Sequence, residues 1–181
     1  EDGVRYESDT DHTVMLSVCA CALASKLYPG RLDIGLVAQF ALVHDIVETY
    51  AYDTNSINLD KEGKREKDKR EAESLARITA DFENVYPWLP QTIVLYESKS
   101  TPESRFVTLL DKMMTRITNI HNKGKALRIL GTSREDITKH FENQYTHFHD
   151  LYGNEFPELF TVTRELNKVM LDEIEIESKG I

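Results

Sequence analysis

The chain has 181 residues, of which 40% are hydrophobic and 29% are charged, a composition typical of globular domains and unlike that of disordered chains. A chain of this size removes roughly 70% of its unfolded surface from water on folding, so we expect one domain over residues 1–181. The formal net charge of −9 argues against broad binding to the phosphates of duplex nucleic acid.

The apolar stretches are too interrupted to predict a membrane span. Residues 14–27 and 34–47 both contain polar side chains, and no basic and apolar leader precedes them. The chain starts at Glu1 and not at Met, so we expect part of the natural N-terminus to precede it. Cys19 and Cys21 point in different directions on a helix, so we interpret them as small core residues in a reducing compartment. Together these features predict a cytoplasmic protein.

Apolar residues recur at helical spacing, and no run alternates as a strand would, so the predicted fold class is all-α. The first helix is expected to begin near residues 9–11, where polar side chains can cap it, and to end at Pro29 and Gly30. A second helix, from Ile34 to Val43, is apolar on nearly all sides. This pattern predicts a buried central helix.

The rest of the chain alternates between polar segments and amphipathic ones. Residues 52–59 are rich in Asp, Asn and Ser and predict a loop, and residues 61–73 carry a dense run of both charges. We interpret that run as the solvated face of a helix with pairs four residues apart, in preference to a role in substrate attraction. A turn is predicted around residues 87–90. Further helices are predicted over residues 66–82, 102 to about 130, 134–151 and 158–176, the last two as packing and oligomer elements.

The segment that carries chemistry is His44, Asp45 and Glu48, which follow directly on an apolar stretch. Burying an unpaired charge costs several kcal/mol, so this segment implies either a metal ion or a tight hydrogen-bond network. On a continuous helix Glu48 would project to the same side as His44 and Asp45, which lie four and three residues before it. One site could therefore use all three side chains.

Two further side chains could complete such a site. His12 lies at the polar start of the first helix, and Asp111 is a lone acid in an apolar stretch. Taken alone, His12 suits a capping or surface role and His44 a hydrogen-bonded core histidine. Asp45 and Asp111 in apolar surroundings have no comparable structural explanation, so the set favours metal binding.

These residues also carry a family resemblance. In order, the chain presents Glu7-Ser-Asp-Thr-Asp-His12, then His44-Asp45-Ile-Val-Glu48, then Asp53, and then residues 101–112, Thr-Pro-Glu-Ser-Arg-Phe-Val-Thr-Leu-Leu-Asp-Lys. The pattern resembles the HD-domain phosphohydrolases and is most similar to bacterial 5′-deoxynucleotidases. The resemblance covers about residues 7–114. It implies a single HD-domain bundle of about six to eight helices, with C-terminal packing helices over about residues 134–178.

The resemblance implies a metal site of four residues. His12, His44, Asp45 and Asp111 are expected to bind one divalent cation and to leave positions open for water and a phosphate oxygen. Mixed imidazole and carboxylate ligands suit Mn²⁺, Co²⁺, Fe²⁺, Ni²⁺ or Zn²⁺, and Mg²⁺ stays an alternative.

The resemblance also assigns roles beside the metal. Glu48 is the candidate general acid or base, and Asp53 is expected to orient water or contact the sugar. Their structural alternatives are a salt-bridge partner for Glu48 and a loop turn for Asp53. In the deoxynucleotidase-like branch an arginine and an aromatic residue precede the first histidine, and this chain offers Arg5 and Tyr6 there. We expect Arg5 and Lys112 to contact substrate, with a solvated side chain as the alternative for Lys112.

The predicted function is hydrolysis of a phosphate ester by metal-activated water. The leading substrate class is (deoxy)nucleoside 5′-monophosphates, and the enzyme alternative is an HD-type dNTP triphosphohydrolase. A non-catalytic nucleotide or metabolite sensor is the alternative of another class, and a metal-free helical interaction module is a third. The expected partners are a small nucleotide and a second copy of the chain, without duplex nucleic acid or membrane.

Overall fold

The structure is a computed structural model that describes residues 8–51 and 61–174. These residues form nine helices and no strand, which confirms the all-α fold class. Seven helices have ten or more residues, and α3 and α7 are short. The helices are α1 Asp9–Leu27, α2 Ile34–Val43, α3 Glu48–Ala51, α4 Lys61–Phe82, α5 Trp88–Glu97, α6 Pro102–His121, α7 Lys125–Ile129, α8 Arg134–Tyr152 and α9 Pro157–Glu173.

The chain divides into two compact units, Glu1–Val107 and Thr108–Ile181. In the first unit α1 packs on α2, α5 packs on α2 and α4, and α3 packs on α4. In the second unit α8 packs on α9. Helix α6 runs from one unit into the other. The assignment of all 181 residues to a single domain stays a prediction.

Helix α1 begins and ends where the sequence predicts. Ser8 caps it, since its hydroxyl accepts the backbone N–H of Asp11 while the Asp11 carboxylate accepts the backbone N–H of Ser8. This reciprocal pair satisfies two of the free donors at a helix start. On the inner face Leu16, Ala20 and Ala24 are fully buried, one turn apart. The small side chains of Ala20 and Ala24 leave room for α1 to pack on α2.

Helix α2 is buried on one side only, so its expected burial on all sides is wrong. Val37, Phe40 and Val43 are fully buried, whereas the Leu42 side chain is 53% exposed. Asp33 caps the helix by accepting the backbone N–H of Leu36. The backbone N–H of Asp33 itself donates to Glu103 Oε1, which ties the start of α2 to the first turn of α6.

Two helices differ from the predicted boundaries. Helix α4 begins at Lys61, five residues before the predicted start, because charged residues of both signs are good helix formers when they can pair four apart. Helix α5 occupies Trp88–Glu97, where a turn was predicted around residues 87–90. Proline is tolerated in a first helical turn, since the N–H groups there have no partner within the helix. Trp88, half-buried, donates its Nε1–H to Gln39 Oε1 at 2.8 Å.

The predicted helix from Pro102 to about Leu130 is interrupted. Helix α6 ends at His121, and α7 starts at Lys125. Lys123 and Gly124 adopt left-handed backbone angles of φ 52° and 73°, which end a right-handed helix and which glycine adopts at low cost. Helices α8 and α9 agree with the predicted pair to within a few residues.

The second unit encloses a buried cation, Arg116 on α6, which is 1% exposed. Its guanidinium donates to Asn167 Oδ1 at 2.7 Å, to Gln144 Oε1 at 2.6 Å and to the Lys112 carbonyl, and it lies 4.2 Å from the centre of the Phe141 ring. Burial lowers the pKa of Arg116 to about 9. These neutral acceptors join α6 to α8 and α9.

Two further predictions concern the cysteines and membrane-spanning helices. Cys19 and Cys21 are free thiols, but both are partly exposed and neither lies in the core as predicted. Burial raises the pKa of the Cys19 thiol. Across residues 8–51 and 61–174, none of the helices combines the length and the apolar character that crossing a membrane requires.

Candidate metal centre

His12 lies in the first turn of α1, four residues after the cap. Its backbone N–H donates to the Ser8 carbonyl at 2.9 Å, so the capping box fixes the turn that carries the imidazole. The His12 side chain is 19% exposed.

His44 is the C-cap of α2 and is almost fully buried, at 4% exposed. Its Nδ1 lies 2.8 Å from the Ala41 carbonyl oxygen, one helical turn back. A carbonyl oxygen only accepts hydrogen bonds, so Nδ1 carries the proton and Nε2 keeps its lone pair. A backbone carbonyl that fixes the tautomer in this way is the usual partner of a metal-binding histidine.

The first unit brings His12, His44 and Asp45 together. Asp45 Oδ2 lies 2.8 Å from His44 Nε2 and 3.9 Å from His12 Nε2, and the two imidazole ring centres are 5.2 Å apart. Two ligands that each lie about 2.1 Å from an ion are about 3.0 Å apart at a right angle and about 4.2 Å apart on opposite sides. Both observed distances are close to this interval.

The close approach of His44 and Asp45 also has an electrostatic implication. An Nε2 lone pair that faces a carboxylate oxygen at 2.8 Å is repulsive unless positive charge lies between them. A bound cation supplies that charge. The donor set of two imidazoles and one carboxylate therefore fits a divalent ion.

The chain leaves the helical path at His44, so the expected spacing of Glu48 on one continuous helix is wrong. Backbone bonds of the tighter three-residue type join Ile46 to Val43, Glu48 to Asp45 and Thr49 to Ile46. Glu48 starts the short helix α3. This change of path lets the adjacent side chains of His44 and Asp45 approach the same point, which a regular helix would separate by about 100°.

Glu48 is held by a lysine that the sequence analysis did not select. Lys67 Nζ on α4 lies 3.3 Å from Glu48 Oε1 and 3.3 Å from Glu71 Oε1. The three side chains are 23–30% exposed, so the charges are partly shielded from water. Burial alone lowers the pKa of Lys67, but the carboxylates of Glu48 and Glu71 together outweigh burial and raise it.

Two further contacts fix the segment of residues 47–51 against α4. The Ser74 hydroxyl, which is 2% exposed, donates to the Val47 carbonyl. The Arg70 Nε–H donates to the Ala51 carbonyl at 3.0 Å. With Lys67, these residues recur at helical spacing within the charged run. The sequence signal that could have found them is the stripe 67, 70, 74 and 78, which ends in buried Ile78.

The remaining candidates belong to the second unit or lie outside the described residues. Asp111 is in the second unit, on α6, with a side chain that is 14% exposed, and its Oδ2 accepts from Lys112 Nζ at 2.6 Å. Lys112 is 45% exposed. Arg5 and Asp53 lie outside the described residues, as does the predicted loop over residues 52–59.

The chain is similar to proteins of a known family. A family model described as HD domain matches residues 1–151. The chain belongs to the HD-domain family. This HD-domain protein is similar to a solved structure, that of a predicted metal-dependent phosphohydrolase from Magnetospirillum magnetotacticum MS-1, with a TM-score of 0.69 and 22% identity over 95% of this chain and 83% of that one. At that identity the similarity is one of fold. No curated protein sequence matches the chain.

Proposed function

We propose that this HD-domain protein is a divalent-metal-dependent phosphohydrolase. The observation that carries the proposal is the buried His44, whose Nδ1 is fixed by the Ala41 carbonyl while Nε2 faces Asp45 Oδ2 at 2.8 Å. Family membership supports it, and the structural neighbour from Magnetospirillum bears the name of a metal-dependent phosphohydrolase.

We propose His12, His44, Asp45 and Asp111 as the ligands of one ion. The ordered sequence pattern supports the full set, and within the first unit Asp45 approaches both histidines. The mixture of ligands favours Mn²⁺, Co²⁺, Fe²⁺, Ni²⁺ or Zn²⁺ over ions that prefer oxygen alone, with Mg²⁺ as the remaining alternative.

When bound, a divalent ion polarises phosphoryl oxygens and lowers the pKa of water towards neutrality. The protein's own part is to supply orientation and proton transfer. Ala41 keeps the proton of His44 on Nδ1, away from the site. Glu48, which pairs with Lys67, is the proposed base that accepts a proton from water or the acid that returns it to the leaving oxygen. Asp53 is proposed to orient water or to contact the sugar.

For the substrate we propose (deoxy)nucleoside 5′-monophosphates, with Arg5 and Lys112 as phosphate contacts. The support is the ordered pattern of His12, the His44-Asp45 pair and Glu48 that resembles the 5′-deoxynucleotidases. Lys112 is paired with Asp111 and 45% exposed, so its ammonium lies at a surface that a phosphate can reach. Hydrolysis of dNTPs to the nucleoside and triphosphate is the second candidate, because both reactions use the same ligands. We also propose that the protein acts in the cytoplasm as a homodimer.

The test is a panel of nucleoside mono- and triphosphates incubated with each candidate ion, with products identified. The proposal expects orthophosphate from a monophosphate. Glu48→Gln is expected to keep the metal and to lose turnover by about a hundredfold or more, since general acid or base catalysis contributes at least that much. Glu73→Gln on the exposed side of α4 is the matched control and is expected to retain full activity.

The outcomes separate the alternatives. Triphosphate as product would select the dNTP hydrolase. Stoichiometric metal together with nucleotide binding, but without turnover of any nucleotide, would select the sensor. Protein purified without any metal, and with no affinity for added Mn²⁺, would remove the metal site and with it the proposed function.

A further inference from the structure

Helix α4 has two charged faces that differ in their exposure to water. Lys69 and Glu73 pair four residues apart at 3.7 Å, and their side chains are 77% and 66% exposed. Lys67, on the other face, lies among partners and is 24% exposed. Side chains three, four and seven residues apart share a helix face, which places Arg70 and Ser74 beside Lys67.

We propose that Lys67 is a positioning residue for Glu48, and that Glu71 holds Lys67 in place. The inference rests on the proposed function, in which Glu48 transfers a proton. The geometry consists of two contacts of 3.3 Å, from Lys67 Nζ to Glu48 Oε1 and to Glu71 Oε1. The direct partner restricts the Glu48 side chain, and the Glu71 contact restricts the lysine.

The charges of Lys67, Glu48 and Glu71 explain why Lys67 can position Glu48 and still leave it able to act as a base. A single ammonium that faced a single carboxylate would stabilise the ionised form so strongly that the carboxylate would be a weak base. Here one ammonium contacts two carboxylates, so Lys67 is shared between Glu48 and Glu71 and the three charges sum to −1. The raised pKa of Lys67 keeps its side chain charged at neutral pH.

Among the residues of the first unit that the structure describes, α4 and the segment before Glu48 carry charged groups close to Glu48. Helix α4 contributes Lys67 and, behind it, Glu71 and Arg70, of which Arg70 donates to the Ala51 carbonyl. The segment of Glu48 itself contributes Asp45, whose carbonyl accepts the backbone N–H of Glu48. Lys67 Nζ contacts the Glu48 carboxylate directly, at 3.3 Å. Removal of this cation is therefore expected to move the titration midpoint of Glu48 to higher pH.

The experiment compares Lys67→Met with Lys67→Arg and with Lys69→Met, a matched removal of a lysine from the exposed face. In metal-free protein, NMR titration of the Glu48 side-chain carboxyl carbon is expected to move its midpoint to higher pH by about one unit or more in K67M. The midpoint in K67R and K69M is expected to stay near that of the wild type. Glu71→Gln, which removes negative charge but leaves Lys67, is expected to move the midpoint in the opposite direction, to lower pH.

Turnover gives the second readout. With the substrate and ion that serve the wild type, K67M is expected to lower kcat about tenfold or more while KM changes less than about threefold, and K67R is expected to restore most of kcat. An unchanged midpoint in K67M, or a loss of kcat in K69M as large as in K67M, would overturn the inference. If the wild type hydrolyses no phosphate ester, the proposed function fails, and the titration alone decides whether Lys67 controls Glu48. If K67M does not fold, the direction of the shift in E71Q decides it.

Discussion

Removal of the Ser74 hydroxyl tests whether α4 fixes the segment that carries the site. In Ser74→Ala the Val47 carbonyl loses a buried donor, which costs about 1–3 kcal/mol. The backbone N–H of Ala51 stays 3.4 Å from the same oxygen, so the loss belongs in the lower part of that range. Alanine is also a better helix former than serine by about 0.5 kcal/mol. The net destabilisation is about 1 kcal/mol, or a melting temperature lower by about 2–4 °C for a chain of this size.

Urea unfolding of S74A and of Thr79→Ala measures this effect against a matched control. The Thr79 hydroxyl also donates to a carbonyl, but that carbonyl is Leu75 O in its own helix, so its loss disturbs no contact between elements. We expect S74A to lose about 1 kcal/mol and T79A to stay within about 0.5 kcal/mol of the wild type. If S74A is as stable as the wild type, or T79A is the less stable of the two, the Ser74 contact does not anchor residues 47–51.

Three further predictions concern the ion, the lysine and the buried arginine. Mn²⁺ at about a hundred times its Kd is expected to stabilise the wild type by about 2.7 kcal/mol, and so to raise its melting temperature by about 5–10 °C. His44→Ala should lose most of this rise. An equal rise in both proteins would exclude His44 as a ligand. The pKa of Lys67 is higher in the folded state, so its contribution to stability is complete below the unfolded pKa and is lost as pH rises through the folded pKa. The difference in urea midpoint between wild type and K67M should therefore be constant near neutral pH and shrink only above pH 10.5, and a difference that vanishes at pH 8 would contradict this. In Arg116→Lys the shorter ammonium cannot reach the side-chain amides of Gln144 and Asn167 together. The free energy of unfolding, measured by urea titration, should therefore fall by about 2–3 kcal/mol. Equal stability would mean that these hydrogen bonds contribute nothing.

The sequence predicts helices well where the local signals agree. Ser8 and Asp11 at the start of α1, and Pro29 and Gly30 after its end, are capping and breaking signals that need no tertiary information. The same holds for Ser133, whose hydroxyl accepts the backbone N–H of Asp136 at the start of α8. Helix α5 was missed because its first turn contains prolines that usually mark turns, and its helical state depends on packing against α2 and α4.

In the candidate site, too, some residues can be predicted from local signals, whereas their arrangement depends on the folded chain. His44 and Asp45 stand out from the sequence because polar groups after an apolar stretch need a compensating partner. Their convergence depends on the tight turns after Val43, which periodicity cannot predict because it assumes that the helix continues. Lys67 was hidden for a different reason. In a run of many charges, pattern alone does not tell which lysine faces a carboxylate of another element and which faces water.

For engineering, the exposed face of α4 is a place where side chains can be replaced without changing the candidate site. Lys69 and Glu73 lie in water, and their pairing is worth only a few tenths of a kcal/mol, so a fluorophore, a spin label or a surface tether can replace either. The helix can therefore carry a label on its solvent side while Lys67 keeps its contact with Glu48.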